Sequence, residues 1–141
     1  MIRLSSTQLW VHDQDVALDF YTNKLGWQIA SDMTVAELGN FRWLAVVPPN
    51  QPDVAVVLMA IPPAPVMDDA TANTVRDLMG KGFAGTLFLT TDDIRSAVAD
   101  LKARGVEFVD EPEERPYGID AGFHDPSGNH LRLAQLRGDW G

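Results

Sequence analysis

A succession of strand, helix, strand, strand, strand runs twice through this chain. The second pass trails the first by about 80 residues, and an internal repeat constrains a fold more tightly than any single motif. In the first pass, residues 4–11 alternate as a strand, with Leu9 and Val11 on one face and Ser6, Gln8 and Trp10 on the other. Asp13 and Asp15 are good helix caps, and Val16, Phe20, Tyr21 and Leu25 form an apolar stripe that ends at Gly26. Residues 27–30, 41–47 and 54–61 read as three more strands, the last apolar on both faces as expected inside a sheet. In the second pass, residues 85–91 form a strand and Asp92 and Asp93 cap a helix carrying Ile94, Val98 and Leu101. Gly105 ends that helix and residues 106–109 resume as a strand.

A hairpin over residues 116–136 completes the second pass. Its turn is Asp125-Pro126-Ser127-Gly128: Asp caps it, Pro pre-sets φ, and Gly tolerates the exit geometry. The strand after it points Leu131 and Leu133 one way and His130, Arg132 and Ala134 the other. Pro62-Pro63-Ala64-Pro65 is linker-like, and Asp68 or Asp69 caps a short helix through Met79. These boundaries predict one domain of two modules, 1–61 and 85–136, joined by a linker with a short helix at 62–84 and followed by a loose tail at 137–141 that holds Trp140. Neither half could bury its sheet alone.

Composition narrows the function. With 141 residues the chain can bury a real core. It has no cysteine, which excludes disulfides and thiolate metal sites and fits a reducing, cytoplasmic setting. The start, MIRLSSTQLWV, has no apolar stretch of the kind a signal peptide carries, and no run approaches the roughly 20 residues of a membrane span. A net charge of −9 argues against nucleic acid, whose phosphates need a basic surface, and is compatible with a cationic ligand.

The double βαβββ pattern resembles the vicinal oxygen chelate superfamily, which includes glyoxalase I, extradiol dioxygenases and bleomycin-resistance proteins. The likeness is carried by Asp15-x-x-x-Asp19-Phe20-Tyr21-x-x-x-Leu25-Gly26-Trp27 in the first half. In the second half it is carried by Asp92-Asp93-Ile94, Leu101-x-x-x-Gly105-Val106, Pro116-Tyr117-Gly118 and Phe123-x-Asp125-Pro126-Ser127-Gly128-Asn129. The resemblance implies an α+β fold in which tandem βαβββ modules form an open mixed-sheet barrel with helices outside. It also implies a ligand cavity and, in many members, a homodimer. Helix-facing strand residues would be Leu9, Val11, Leu87, Leu89, Leu131 and Leu133. Cavity-facing ones would be Ser6, Gln8, Trp10, Val56, Leu58, Ala60, Thr86, Phe88, Thr90, His130, Arg132 and Ala134.

In metal-using members, four cavity positions hold His, Gln or Glu around one divalent ion. By this resemblance they fall on Ser6, Leu58, Thr86 and Arg132, none of them a usual ligand, and Arg132 would repel a cation. Slipping each position by one gives Ser5 or Thr7, Val57 or Met59, Gly85 or Leu87, and Leu131 or Leu133, which restores nothing. No metal and no other cofactor is therefore expected.

Other chemistry-bearing groups each have a plainer reading. His12, His124 and His130 read as strand-end or surface polar residues, although His124 and His130 could approach across the hairpin. Ser5-Ser6-Thr7 lacks a nucleophile elbow, and Gly80-Lys81-Gly82 is not a phosphate loop. Asp68-Asp69 and Asp92-Asp93 read as caps, and Glu111, Glu113 and Glu114 as a solvated acidic run between strands. Trp27 is a packing residue. Trp10, Trp43, Phe88 and Tyr117 either fill a closed barrel or form an aromatic ligand platform. Arg132 must be paired if buried, either with a protein carboxylate or with an acidic or carbonyl ligand.

Two functions follow. One is metal-independent binding or sequestration of a small, partly aromatic molecule in the cavity or a dimer groove, using Ser6, Gln8, Trp10, Trp43, Leu58, Thr86, Phe88, Tyr117, His130 and Arg132. The other is a glyoxalase- or dioxygenase-like enzyme, a lyase or oxidoreductase, with a non-standard site or a metal-free one built on His130 and Arg132. The missing ligands favour the first.

Overall fold

The computed structural model describes residues 1–140 and divides into two compact units after Asp77. In the first unit β1 (Ser6–Val11), β2 (Gln28–Val35), β3 (Phe41–Val47) and β4 (Ala55–Ala60) form one sheet in the order β1-β4-β3-β2. In the second, β5 (Thr86–Thr90), β6 (Phe108–Arg115), β7 (Gly118–His124) and β8 (His130–Leu136) repeat it as β5-β8-β7-β6. β1 pairs parallel with β4 and β5 with β8, while all other neighbours are antiparallel. Both sheets are mixed and open, so the class is α+β, built as two βαβββ modules. No helix among the described residues is long and apolar enough to cross a membrane.

Asp13, Asp68 and Asp93 act as caps, whereas Asp15, also expected to cap, lies within the first turn of the helix and pairs with Arg42. Asp13 accepts from Val16 N at 3.0 Å to start α1 (Gln14–Asp19), and Asp68 accepts from Thr71 N at 2.7 Å beside α2 (Asp69–Gly80). Asp93 accepts from Ser96 N at 3.1 Å to start α3 (Ile94–Ala103). Gln14 Nε2 donates to the carbonyls of Leu58 and Arg42 at 2.9 and 3.2 Å, which ties α1 to β4 and β3. α3 buries Ile94 and Val98 and packs on β6 and β8, and Ile94 N donates to Gln135 Oε1 at 2.9 Å.

Several boundaries depart from the pattern. α1 runs into a π-helical turn at Phe20–Lys24, in which Leu25 N reaches back to Phe20 O. The buried stripe is Ala17, Phe20 and Tyr21, and Val16 is half-exposed. β2 extends to Val35 because it forms a long hairpin with β3, held at its surface by Arg42, which pairs with Asp32 at 2.9 Å and Asp15 at 2.7 Å. The acidic run is not a loop: Glu111, Glu113 and Glu114 lie within β6. β6 is an edge strand whose register slips around Pro112, and edges of sheets carry prolines, bulges and charges because these block further strand pairing.

The register of β4 corrects one assignment. Leu58 lies beside Leu9 and Ala60 beside Val11, so Val56, Leu58 and Ala60 belong to the row of Leu9 and Val11, not to that of Ser6, Gln8 and Trp10. Leu58 is fully buried core. A strand apolar on both faces carries no alternation from which its facing could be read.

Candidate ligand-binding site

The site is assembled by β8 and its hairpin. The Asp125 carboxylate accepts from Ser127 N at 2.9 Å and Asn129 N at 3.0 Å through Oδ1, and from Asn129 Nδ2 at 2.9 Å through Oδ2. Asp125 and Asn129 are both buried. Gly128 has φ +91° and rests against the end of α2, where a Cβ would overlap the Met79 carbonyl; only glycine suits both conditions. The turn fixes the pairing that follows, with His124 opposite His130, Gly122 opposite Arg132 and Asp120 opposite Ala134.

On the face turned from α3, one row crosses all four strands: Phe88 on β5, Arg132 on β8, Gly122 on β7 and Asp110 on β6. Gly122 has no side chain, so Arg132 lies over it and reaches the edge strand. Arg132 Nη1 donates to Asp110 Oδ1 and Oδ2 at 2.8 and 3.0 Å, and Nη2 pairs with Asp120 Oδ2 at 2.7 Å. Asp120 is buried and also accepts from the Tyr117 hydroxyl at 2.7 Å and Arg115 Nε at 3.3 Å. Burial alone would raise the Asp120 carboxyl, but hydrogen bonds from Arg132 and Tyr117 hold it below its ordinary value of 3.8. The same carboxylate, accepting the Tyr117 proton, pushes that phenol above 10.0. The protein ion pair, one of the two sequence readings of Arg132, is present.

Above this polar floor lies a pocket of about 590 Å³ lined by Phe88, Leu89, Thr90, Tyr117, Asp120, Arg132, Ala134, Leu136 and Trp140. Phe88 is 82% exposed and Trp140 53%. Large aromatics this open on a concave wall are surfaces left for something else to cover.

Of the residues expected at the site, Phe88, Tyr117 and Arg132 therefore meet in one pocket of the second unit. Thr86 and His130 share their sheet face but do not line it. His130 Nδ1 lies 3.1 Å from His124 Nε2, so one ring donates to the other. Burial, the His124 ring and the Arg132 guanidinium hold the His130 imidazole below its ordinary 6.5, with Asp110 opposing. In the first unit, Ser6, Gln8 and Trp10 share a face with Val57 and Met59, and Trp43 falls on it two residues from Ala45, the partner of Val57. Leu58 is on the other face. The position that the resemblance assigned to Leu58 would on this register fall on Val57 or Met59, which offer no hard donor. Among the described residues, no group of three or more His, Asp or Glu is placed to hold a metal ion.

Sequence reasoning missed Asp110, Asp120, Gly122, Leu136 and Trp140. Asp120 and Gly122 were within reach, since they alternate with His124 along β7. Asp110 was not, because β6 was expected to stop at residue 109.

Fold and site together define a βαβββ protein with an aromatic pocket on an open sheet. The chain belongs to the Glyoxalase/Bleomycin resistance protein/Dioxygenase superfamily, whose sequence profile matches residues 3–133. It is similar to UcmS2, with 41% identity and a TM-score of 0.87 over 96% of this chain and 98% of that one. It is also similar to TnmS3, an antibiotic binding protein from a Streptomyces species, with 30% identity and a TM-score of 0.72 over 97% and 98% of the two chains. An uncharacterized protein of Shewanella frigidimarina is 38% identical over 130 residues, 91% of this chain and 89% of that protein.

Proposed function

We propose that this protein binds and sequesters a small, partly aromatic molecule without a metal ion. The observation that carries this reading is the 82%-exposed Phe88, which shares a pocket wall with Tyr117 and Trp140. Covering those rings with a planar ligand removes apolar surface from water and adds ring stacking. Two further facts support it. The resemblance assigns metal-ligand positions to Ser6, Thr86 and Arg132, none of which is a usual ligand, and TnmS3 is described as an antibiotic binding protein. On this reading the protein is a homodimer in the cytoplasm, with a second copy covering part of the open aromatic surface.

Binding is tested by following tryptophan fluorescence while titrating planar aromatic compounds. Saturable quenching that F88A weakens about tenfold or more is the expected result. Elemental analysis for Zn, Ni, Fe and Mn tests metal independence, and one equivalent of any of them would sink it. Turnover of the bound compound would favour the enzyme alternative. Sedimentation at micromolar concentration tests the dimer.

A further inference from the structure

The charge on the pocket floor has a consequence for what enters. Arg132 is the cation among the residues that line the pocket, and on its own it would attract an acid. Both of its terminal nitrogens are already taken, one by Asp110 at 2.8 Å and one by Asp120 at 2.7 Å. Arg115, in the same network, is shared between Asp120 at 3.3 Å and Glu113 at 3.2 Å. In this network three carboxylates face two guanidiniums, an excess of one negative charge, and Asp120 and Arg132 bring it to the pocket that Phe88 and Trp140 line. The Tyr117 hydroxyl does not change this, because its proton is committed to Asp120.

We infer that the pocket selects a planar aromatic cation over an anion of the same size. This rests on reading the pocket as an aromatic ligand site. A cation gains from the net floor charge and from the faces of Phe88 and Trp140. An anion must displace a carboxylate from Arg132 or sit beside two that stay, and repulsion of that kind discriminates as effectively as new attraction. Asp110 is the residue best placed to tune the preference: its side chain is 33% exposed and its only cationic partner in the network is Arg132.

The test uses two probes on the full chain at low ionic strength: proflavine, a planar cation, and anthracene-9-carboxylate, a planar anion. Proflavine should bind about tenfold or more tightly than the anion, the size expected of one net charge at short range. F88A should weaken proflavine, which separates the pocket from general attraction to an acidic surface. In D110N, checked for folding by circular dichroism, the preference should shrink several-fold. Equal or tighter binding of the anion, or an unchanged preference in folded D110N, overturns the charge inference and leaves the aromatic pocket standing. Failure of both probes to bind removes the pocket reading, and this inference with it.

Discussion

Arg132 reaches Asp110 across the bare backbone of β7: its Nη1 donates to both carboxylate oxygens, at 2.8 and 3.0 Å, over Gly122. A Cβ at residue 122 would overlap Arg132 Nη1 and crowd Asp110 Oδ1. G122A should therefore displace the pair, and because both obstructing atoms end flexible, partly exposed side chains the loss of stability should be about 1 kcal/mol, the worth of the displaced hydrogen bonds. Chemical denaturation checks this. A neutral effect would mean that the side chains swing aside freely.

Asp120 is the buried member of the network. D120A should cost about 1–3 kcal/mol, since it removes the buried acceptor shared by Arg132, Arg115 and Tyr117 and leaves their donors unsatisfied, and adding R132M should recover part of the loss. The pH dependence follows from its lowered pKa. The contribution of Asp120 is complete above its unfolded value near 3.8 and is lost as pH falls through the lower folded value. Wild type should lose stability in that acid range more steeply than D120N.

His130 adds a second pH dependence at milder acidity. Its folded pKa is depressed, so its contribution is present above the ordinary 6.5 and is lost as pH falls below it. Protonating both rings would set two cations where the nitrogens now stand 3.1 Å apart. The denaturation midpoint should fall with pH below about 6.5, and H124A should flatten that decline. Imidazole NMR titration should place His130 below a free histidine.

Leu58 tests the corrected register. As core beside Leu9, L58A should cost about 2–5 kcal/mol of stability. The affinity of whatever folded protein remains for a planar probe should be unchanged. A selective loss of affinity would return Leu58 to the ligand face.

What the sequence made legible follows a physical divide. The strands at Phe41–Val47 and His130–Leu136 were placed to the residue, and the Asp13, Asp68 and Asp93 caps behaved as their chemistry requires. These depend on local pattern and local hydrogen bonds. Leu58 and β6 depend on partners far along the chain. A strand apolar on both faces has no preferred side until β1 pairs with it, and Glu111 to Glu114 look solvated because they are the exposed edge of a sheet. Trp140 gave no periodic signal, yet it lines the pocket through a turn in which its amide donates to Arg137 O.

The Asp125 turn holds itself together, with one carboxylate serving three donors within five residues. Arg132 is the third residue beyond it and inherits its placement from a knot tied before any guest arrives. An evolving lineage could therefore recut the walls at Phe88, Tyr117 or Trp140 to suit a new guest while the charged floor stays where it is, so diversification here is a matter of upholstery and not of carpentry.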